Sequence, residues 1–278
     1  MVLGAANDVV GADFSRPVGV FDSGVGGLSV LREIRRELPH EDVVYVADSG
    51  NAPYGDQSKE FIGRRAAAIL HLFIEHRAKA VVVACNTVTG MAVDALRSRY
   101  SLPIVAIEPA VKPAAATTKS GVVGVLATTQ TLASERFSSL VEKYGHGVEI
   151  VAQPCPGLAE QVEKGEFAGP ATRALVEQFV RPMIARGADT IVLGCTHYPF
   201  LSDVIRSVAG LDVTLIDPAV AVARELRRRL DAANLLSTEE RDGGEVFWTS
   251  GDPEDVQPVI AQLWQRGASV RRLPPHLS

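Results

Sequence analysis

The sequence has few cysteines, few aromatic residues and no long apolar run. Its 278 residues include 3 Cys and 2 Trp, and only 6% are aromatic. Three cysteines cannot form the disulfide framework of a small secreted protein, and no Cys-x-x-Cys or paired-histidine spacing predicts a metal site. Because no apolar stretch approaches the roughly 20 residues needed to cross a bilayer, we expect no membrane span. A reduced, cytoplasmic setting fits this cysteine usage best.

Positive charge is not in excess either. The chain carries 28 Lys and Arg against 33 Asp and Glu, a formal net charge of −5. A protein that binds nucleic acid would carry a basic surface, so we expect no direct nucleic-acid partner. Residues 1–15 contain two aspartates and no basic segment, which is not the pattern of a signal peptide. We interpret them as an N-terminal extension.

What the sequence does contain is an alternation of short apolar runs and longer amphipathic stretches, which is typical of parallel βαβ units. Strands are predicted at Val18–Asp22, Val43–Ala47, Ala80–Cys85, Ile104–Ile107, Val122–Ala127, Glu149–Ala152, Thr190–Cys195, Val213–Ile216, Val246–Trp248 and Ser269–Leu273. The longer helical stretches are Lys59–His76, Thr131–Tyr144, Ala171–Arg186 and Val220–Leu230.

The two halves of the chain resemble each other. Residues 18–23 are echoed 105 residues later, and the strand that ends in Cys85 is echoed 110 residues later by the strand that ends in Cys195. Buried parallel strands all look alike, but two matches at nearly equal offsets favour an internal duplication. We therefore predict an α/β fold with two similar doubly wound parallel-sheet domains, related by pseudo-two-fold symmetry, with the active site in the cleft between them.

Two proline-containing breaks predict where the domains divide. One break lies at residues 109–113 and the other at residues 217–218. The first domain would comprise residues 16–112 together with 219–278, and the second residues 113–218. The first domain is then discontinuous, because the tail returns to complete it.

Two cysteines occupy equivalent positions in this pattern. Cys85 and Cys195 each end an uncharged apolar run, and open α/β sheets bind their ligands at the carboxyl ends of strands. A lone buried cysteine is usually a small hydrophobic residue, but the matched placement of two favours chemistry. Each precedes a predicted helix start, whose dipole favours a thiolate. Cys155 lacks this context, and we interpret it as structural.

Other polar residues near strand ends have two interpretations. Asp22 either caps the next helix or acts as an acid or base, and the glycine-rich turn Gly24–Gly27 predicts an anion site made of backbone amides. Tyr54 lies in a Pro- and Gly-containing turn, where we expect an exposed aromatic side chain that binds ligand. His197 is either a core histidine or a proton partner of the neighbouring thiol. Glu163, taken alone, looks like part of a solvated helix face.

Six segments together resemble one family. They are FDSGVGGLSVL at 21–31, ADSGNAPYG at 47–55, ACNT at 84–87, IEP at 107–109, VEKGE at 162–166 and GCTHYP at 194–199. In this order the chain resembles the glutamate racemases of the aspartate/glutamate racemase superfamily. The resemblance implies interconversion of L- and D-glutamate by proton transfer at Cα between two thiols, without cofactor or metal. It also implies D-glutamate supply for peptidoglycan synthesis, a homodimer and, as in some members, an interaction with DNA gyrase.

The resemblance also implies roles for individual residues. Cys85 and Cys195 match the two acid/base thiols, with Asp22 assisting Cys85, and with His197 and Glu163 assisting Cys195. The substrate-contact positions that it implies are Asp22, Ser23, Pro53, Tyr54, Gly55, Asn86, Thr87, Thr128, Thr196 and His197.

Two rival functions use the same cysteines. An aspartate or hydantoin racemase would share the two-thiol logic and differ only in its substrate. A thiol redox protein would instead join the two cysteines in a disulfide.

Overall fold

The computed structural model describes residues 16–277, in which strands and helices alternate along the chain. The strands are β1 (Val18–Asp22), β2 (Val43–Ala47), β3 (Ala80–Val83), β4 (Ile104–Ala106), β5 (Val122–Ala127), β6 (Glu149–Pro154), β7 (Thr190–Leu193), β8 (Thr214–Ile216), β9 (Glu245–Thr249) and β10 (Val270–Arg272). The α-helices are α1 (Leu28–Glu37), α2 (Lys59–Glu75), α3 (Asn86–Arg99), α4 (Val111–Thr117), α5 (Thr129–Leu132), α6 (Glu135–Tyr144), α7 (Leu158–Glu163), α8 (Pro170–Ala185), α9 (Ser202–Ala209), α10 (Ala219–Ala232) and α11 (Pro253–Trp264). None of these helices has both the length and the apolar character of a membrane span.

The strands form two sheets in which every pairing is parallel. The first has the order β10-β9-β2-β1-β3-β4 and the second the order β6-β5-β7-β8. The strands β2-β1-β3-β4 of the first sheet therefore correspond, in the same order, to the whole of the second. The predicted α/β fold with two similar parallel sheets is confirmed.

The end of the chain returns to the first sheet. β9 pairs with β2 and β10 pairs with β9, although both strands follow the second sheet in sequence, and α10 packs against α1. The division into residues 16–112 with 219–278 and residues 113–218 stays a prediction. The predicted extension, residues 1–15, lies outside the described residues.

The strands are covered on both faces, which explains their unbroken apolar sequences. In β1, Val20 belongs to a core that extends as far as Met183 of α8 and so joins the two sheets. The next residue, Phe21, packs in a separate core on the opposite face, with α2 and α3. Each such side chain contributes roughly 1.5–3 kcal/mol when fully buried. A Cβ on Gly19 would lie 2.5 Å from the ring of Phe73, so this position admits only glycine.

The two cysteine strands end earlier than predicted. β3 and β7 each stop two residues before the cysteine, so both thiols lie in the turns beyond the sheets. Cys85 is the N-cap of α3, as expected. The residues after Cys195 do not enter an α-helix directly, because a short 3-10 helix at Tyr198–Leu201 comes first and α9 starts at Ser202.

The helix predicted over Thr131–Tyr144 is interrupted. α5 ends at Leu132, and α6 starts at Glu135 after a new N-cap. The Ser134 hydroxyl oxygen accepts a hydrogen bond from the Phe137 amide. Serine stabilises such a helix start through this bond, so periodicity alone gave the wrong boundary.

Candidate active site

Cys85 lies beside the end of β1, because β1 and β3 are neighbours in register. Phe21 pairs with Val83, so the residues two positions further on, Ser23 and Cys85, also lie side by side. The Cys85 thiol donates to Ser23 Oγ at 3.7 Å, and both side chains are buried. Asp22, which directly precedes Ser23, is fully buried, and its Oδ2 accepts from the Gly24 amide at 3.2 Å.

Burial decides the protonation state on this side. Burial, together with the Asp22 charge, raises the pKa of the Cys85 thiol to about 12. The amide of Val88 in the first turn of α3 and the Ser23 hydroxyl act in the opposite direction but do not outweigh burial. Burial likewise raises the pKa of Asp22. The predicted activation of Cys85 by the helix dipole is therefore overcome by desolvation, and Cys85 rests as a thiol.

Cys195 has a different partner. Its sulfur lies 3.5 Å from His197 Nδ1, and His197 Nε2 lies 2.5 Å from Glu163 Oε1. Burial alone would lower the pKa of His197, but Cys195 and Glu163 raise it well above the usual value, so the ring is an imidazolium. The Glu163 side chain is 17% exposed and engaged in this ion pair. Its interpretation as a solvated helix face is wrong.

Hydrogen bonds between the two sheets' connecting segments join the surroundings of Cys85 to those of Cys195. The Thr196 hydroxyl donates to Asp22 Oδ1 at 3.1 Å, and the Ser29 hydroxyl donates to the Thr196 carbonyl at 3.0 Å. The Val25 amide donates to Glu163 Oε1 at 2.7 Å. Groups about 140 to 170 residues apart in sequence are thus joined in one buried site.

The glycine-rich turn Gly24–Gly27 allows Glu163 and His197 to approach its backbone this closely. A Cβ on Gly24 would lie 1.9 Å from Glu163 Oε1, and one on Gly26 would lie 2.3 Å from His197 Nδ1. The turn does hold an anion on a backbone amide, but that anion is the protein's own Glu163 carboxylate. At the Val25 amide the predicted anion site is therefore occupied by a side chain from the other sheet.

Asn86 follows Cys85 and has no partner for its side chain. It is 4% exposed, and within residues 16–277 neither its Oδ1 nor its Nδ2 has a hydrogen-bond partner. An unsatisfied buried polar group costs roughly 1–3 kcal/mol. An amide that bears this cost beside a buried thiol is placed to receive a polar ligand.

Threonine hydroxyls that follow strands of both sheets form a second polar cluster, which begins with Thr87 beside Asn86. Thr87 Oγ1 lies 2.9 Å from Thr128 Oγ1, and the Thr128 hydroxyl donates to Thr131 Oγ1 at 2.9 Å. Thr128 also lies against Gly55, where a Cβ would be 3.4 Å from Thr128 Cβ. The predicted positions Gly55, Thr87 and Thr128 therefore come together, and Thr131 is a member that the sequence analysis missed.

The turn that contains Pro53, Tyr54 and Gly55 differs from the prediction. Tyr54 is 1% exposed, not an exposed aromatic, and its hydroxyl donates to the buried carboxylate of Asp48. Arg65 of α2 binds both Asp48 oxygens, at 2.9 and 2.7 Å. Asp48 and Arg65 were missed, although Asp48 follows the end of β2 much as Asp22 ends β1. Tyr54 thus positions the turn, and Pro53 and Gly55 remain partly accessible.

Together these groups make one buried site with two unlike sulfurs. The Thr196–Asp22 and Val25–Glu163 hydrogen bonds join the surroundings of the two thiols. No disulfide joins Cys85, Cys155 or Cys195 in the described part of the chain. One protonated thiol, and one sulfur beside an imidazolium, can act as acid and base towards the same substrate.

Comparison with known proteins gives the family. A model of the Asp/Glu/hydantoin racemase family matches residues 18–226. The glutamate racemase of Methylococcus capsulatus is 52% identical over 258 residues, which cover 93% of this chain and 95% of that protein.

Solved structures agree. The crystal structure of a glutamate racemase isoform from Bacillus anthracis matches with a TM-score of 0.86 at 31% identity, over 94% of this chain and 98% of that one. Escherichia coli glutamate racemase, in complex with L-glutamate and the activator UDP-MurNAc-ala, matches with a TM-score of 0.81 at 31% identity, over 92% and 97% of the two chains. The chain therefore belongs to the Asp/Glu/hydantoin racemase family and, within it, to the glutamate racemases.

Proposed function

We propose that the protein interconverts L- and D-glutamate without a cofactor, by proton transfer at Cα between Cys85 and Cys195. The observation that carries the proposal is a pair of buried thiols at equivalent strand ends with opposite electrostatic partners. Cys85 is protonated beside Asp22, whereas Cys195 lies against the His197 cation. Relatives of similar length are named glutamate racemase, and the Escherichia coli structure holds L-glutamate.

Inversion at a carbon needs a base on one face and an acid on the other. In one direction the Cys195 thiolate takes the Cα proton, the bonding electron pair stays on carbon, and the Cys85 thiol supplies a proton to the opposite face. In the reverse direction the two sulfurs exchange roles. His197, held by Glu163, stabilises the charge on Cys195, and Asp22 interacts with Cys85.

The substrate carbon is a weak acid, so the site must stabilise negative charge that spreads onto the α-carboxylate. A free thiol has a pKa of about 8.5, far below that of an amino acid Cα–H. Preorganised donors in a site that excludes water lower this barrier. We assign substrate contacts to Asp22, Ser23, Pro53, Tyr54, Gly55, Asn86, Thr87, Thr128, Thr196 and His197. The unpaired amide of Asn86 is the strongest individual support.

An assay in heavy water with each enantiomer of glutamate and aspartate tests the proposal. We expect turnover with both glutamate enantiomers and solvent deuterium at Cα of the product enantiomer. Product without deuterium would indicate internal return and a single base. Faster turnover of aspartate would favour the sister racemase. A Cys85–Cys195 disulfide after mild oxidation, together with no racemisation, would favour a thiol redox protein.

The cellular setting and the partners are part of the same proposal. Reduced catalytic thiols fit the cytoplasm, and D-glutamate made there would enter peptidoglycan synthesis. A homodimer and an interaction with DNA gyrase rest on the family resemblance alone. Sedimentation of the full chain tests the first, and a pull-down of gyrase with a Cys85→Ser variant tests the second independently of catalysis.

A further inference from the structure

A cleft outside the active site is lined by four arginines. Arg32, Arg35 and Arg36 of α1 face Arg266 after the end of α11, and Trp264 and Gln265 complete a cavity of about 350 Å³. Among residues 16–277, no acidic side chain lines this cavity. Such a concentration of guanidinium groups is unexpected in a chain with a net charge of −5.

The positive charge of the cleft is only partly neutralised. Arg35 pairs with Glu245 at 2.6 Å, and Arg36 pairs with Glu33 at 2.5 Å. Within residues 16–277, neither Arg32 nor Arg266 has a carboxylate within ion-pair distance. Two guanidinium charges therefore remain unpaired at one cavity.

Aromatic faces and a carbonyl hold these two arginines in place. Arg32 donates to the carbonyl of Leu263 and lies over the Phe200 ring at 5.2 Å, and Arg266 lies over the Trp264 ring at 5.7 Å. Burial and the charge of Arg36 lower the pKa of Arg32, and the nearby Glu33 carboxylate only partly offsets them. The guanidinium groups are thus preorganised and repel one another, and a bound anion would relieve that repulsion.

We propose that this cleft binds a phosphate-bearing anion, which Arg32, Arg36 and Arg266 hold through charge-assisted hydrogen bonds. A phosphate offers several oxygens to three guanidinium forks, whereas a single carboxylate offers two. The cavity also has room for an organic group attached to the phosphate. Free phosphate and a phosphorylated metabolite share this chemistry.

The cleft is connected to the Cys195 side of the active site. Phe200, which Arg32 contacts, lies in the 3-10 helix that directly follows His197. α1 also starts from the glycine-rich turn against which Glu163 and His197 pack. An anion that fixes Arg32 would therefore stabilise the contact between α1 and this 3-10 helix, and binding there should change kcat.

Calorimetric titration of the full-length protein with pyrophosphate, inorganic phosphate and glycerol phosphate at constant ionic strength tests the site. The variant Arg36→Gln/Arg266→Gln removes two cleft charges. The control Arg181→Gln/Arg186→Gln removes two exposed charges from α8 and the turn after it. We expect about tenfold weaker binding for each cleft arginine removed, and affinity within about twofold of wild type for the control.

The titrations either identify the class of anion or contradict the proposal. Tighter binding of glycerol phosphate than of inorganic phosphate assigns a phosphorylated metabolite, and equal binding assigns free phosphate. Equal losses in both double variants, no saturation at millimolar concentrations, or competition by glutamate at the same site would overturn the proposal. Saturating pyrophosphate should change kcat in the wild type and not in the cleft variant, and an unchanged wild-type kcat would overturn the link to the active site. The binding measurement does not depend on racemase activity.

Discussion

The two cysteine turns have the same place in two equivalent sheets but different chemical surroundings. Cys85 lies beside Ser23 and the buried Asp22, where its pKa is about 12. Cys195 lies beside the His197 cation, which Glu163 holds from the other side. The repeated fold thus provides two thiols beyond equivalent strands, and their surroundings differ as the proposed exchange of acid and base roles requires. A symmetrical pair of environments would leave both in the same state.

Removal of either thiol should have the largest effect on the rate of racemisation. For Cys85→Ser and Cys195→Ser we expect racemisation to fall at least about 1,000-fold in both directions, because a hydroxyl replaces the proton donor or acceptor. Polarimetry measures the rate. Cys155→Ser is the matched control, because serine can keep the hydrogen bond to the Gln153 carbonyl. Near-normal turnover by Cys85→Ser would rule out the two-thiol mechanism.

Loss of the Glu163 charge should act mainly on Cys195, through His197. In Glu163→Gln we expect kcat to fall roughly 10- to 100-fold. The pKa of His197 is raised in part by Glu163, so in the variant the imidazolium should lose its proton at lower pH. The alkaline limb of the kcat profile should then move to lower pH. Glu160→Gln, on the same helix, is the control, and identical profiles for both variants would contradict the assigned role.

Alkylation in the absence of substrate should reveal that Cys85 and Cys195 differ in reactivity. With a pKa of about 12, roughly one Cys85 in 10,000 is a thiolate at pH 8. The Cys195 sulfur lies 3.5 Å from His197 Nδ1, and reactive cysteines are found beside such cationic groups. We expect iodoacetamide to label Cys195 at least about tenfold faster, as followed by peptide mass spectrometry. Labelling of Cys85 should accelerate as the pH rises. Equal labelling rates for Cys85 and Cys195 at neutral pH would contradict the expected difference in reactivity.

The smallest effect concerns the turn on the Cys85 side. Tyr54→Phe removes the hydrogen bond to Asp48 while Arg65 keeps its bidentate contact. We expect KM for glutamate to rise several-fold and kcat to change by less than about twofold, since the hydroxyl positions the turn and performs no proton transfer. Tyr100→Phe is the control, because its hydroxyl makes only a 3.5 Å contact with a carbonyl. A large fall in kcat with unchanged KM would indicate direct participation in the reaction.

The local sequence pattern was sufficient to predict the strands but not the structure of the turns. Runs such as Val81–Val83 predict buried parallel strands because both faces of the sheet are covered, and the structure places them so. Tyr54 looked exposed because Pro and Gly surround it, yet the Asp48 carboxylate, fixed by Arg65, draws it inside. Thr131 was missed for a related reason, since one of its partners, Thr87, comes from a distant segment.

The sequence by itself determined the two similar parallel-sheet halves and the placement of Cys85 and Cys195 at equivalent strand ends. These features follow from β-branched apolar runs and their spacing, which act over a few residues. Only the tertiary structure decided that Glu163 reaches the Val25 amide and His197, and that desolvation overcomes the helix dipole at Cys85. Those outcomes depend on burial and on charges that lie far apart in the chain, and no local pattern contains them.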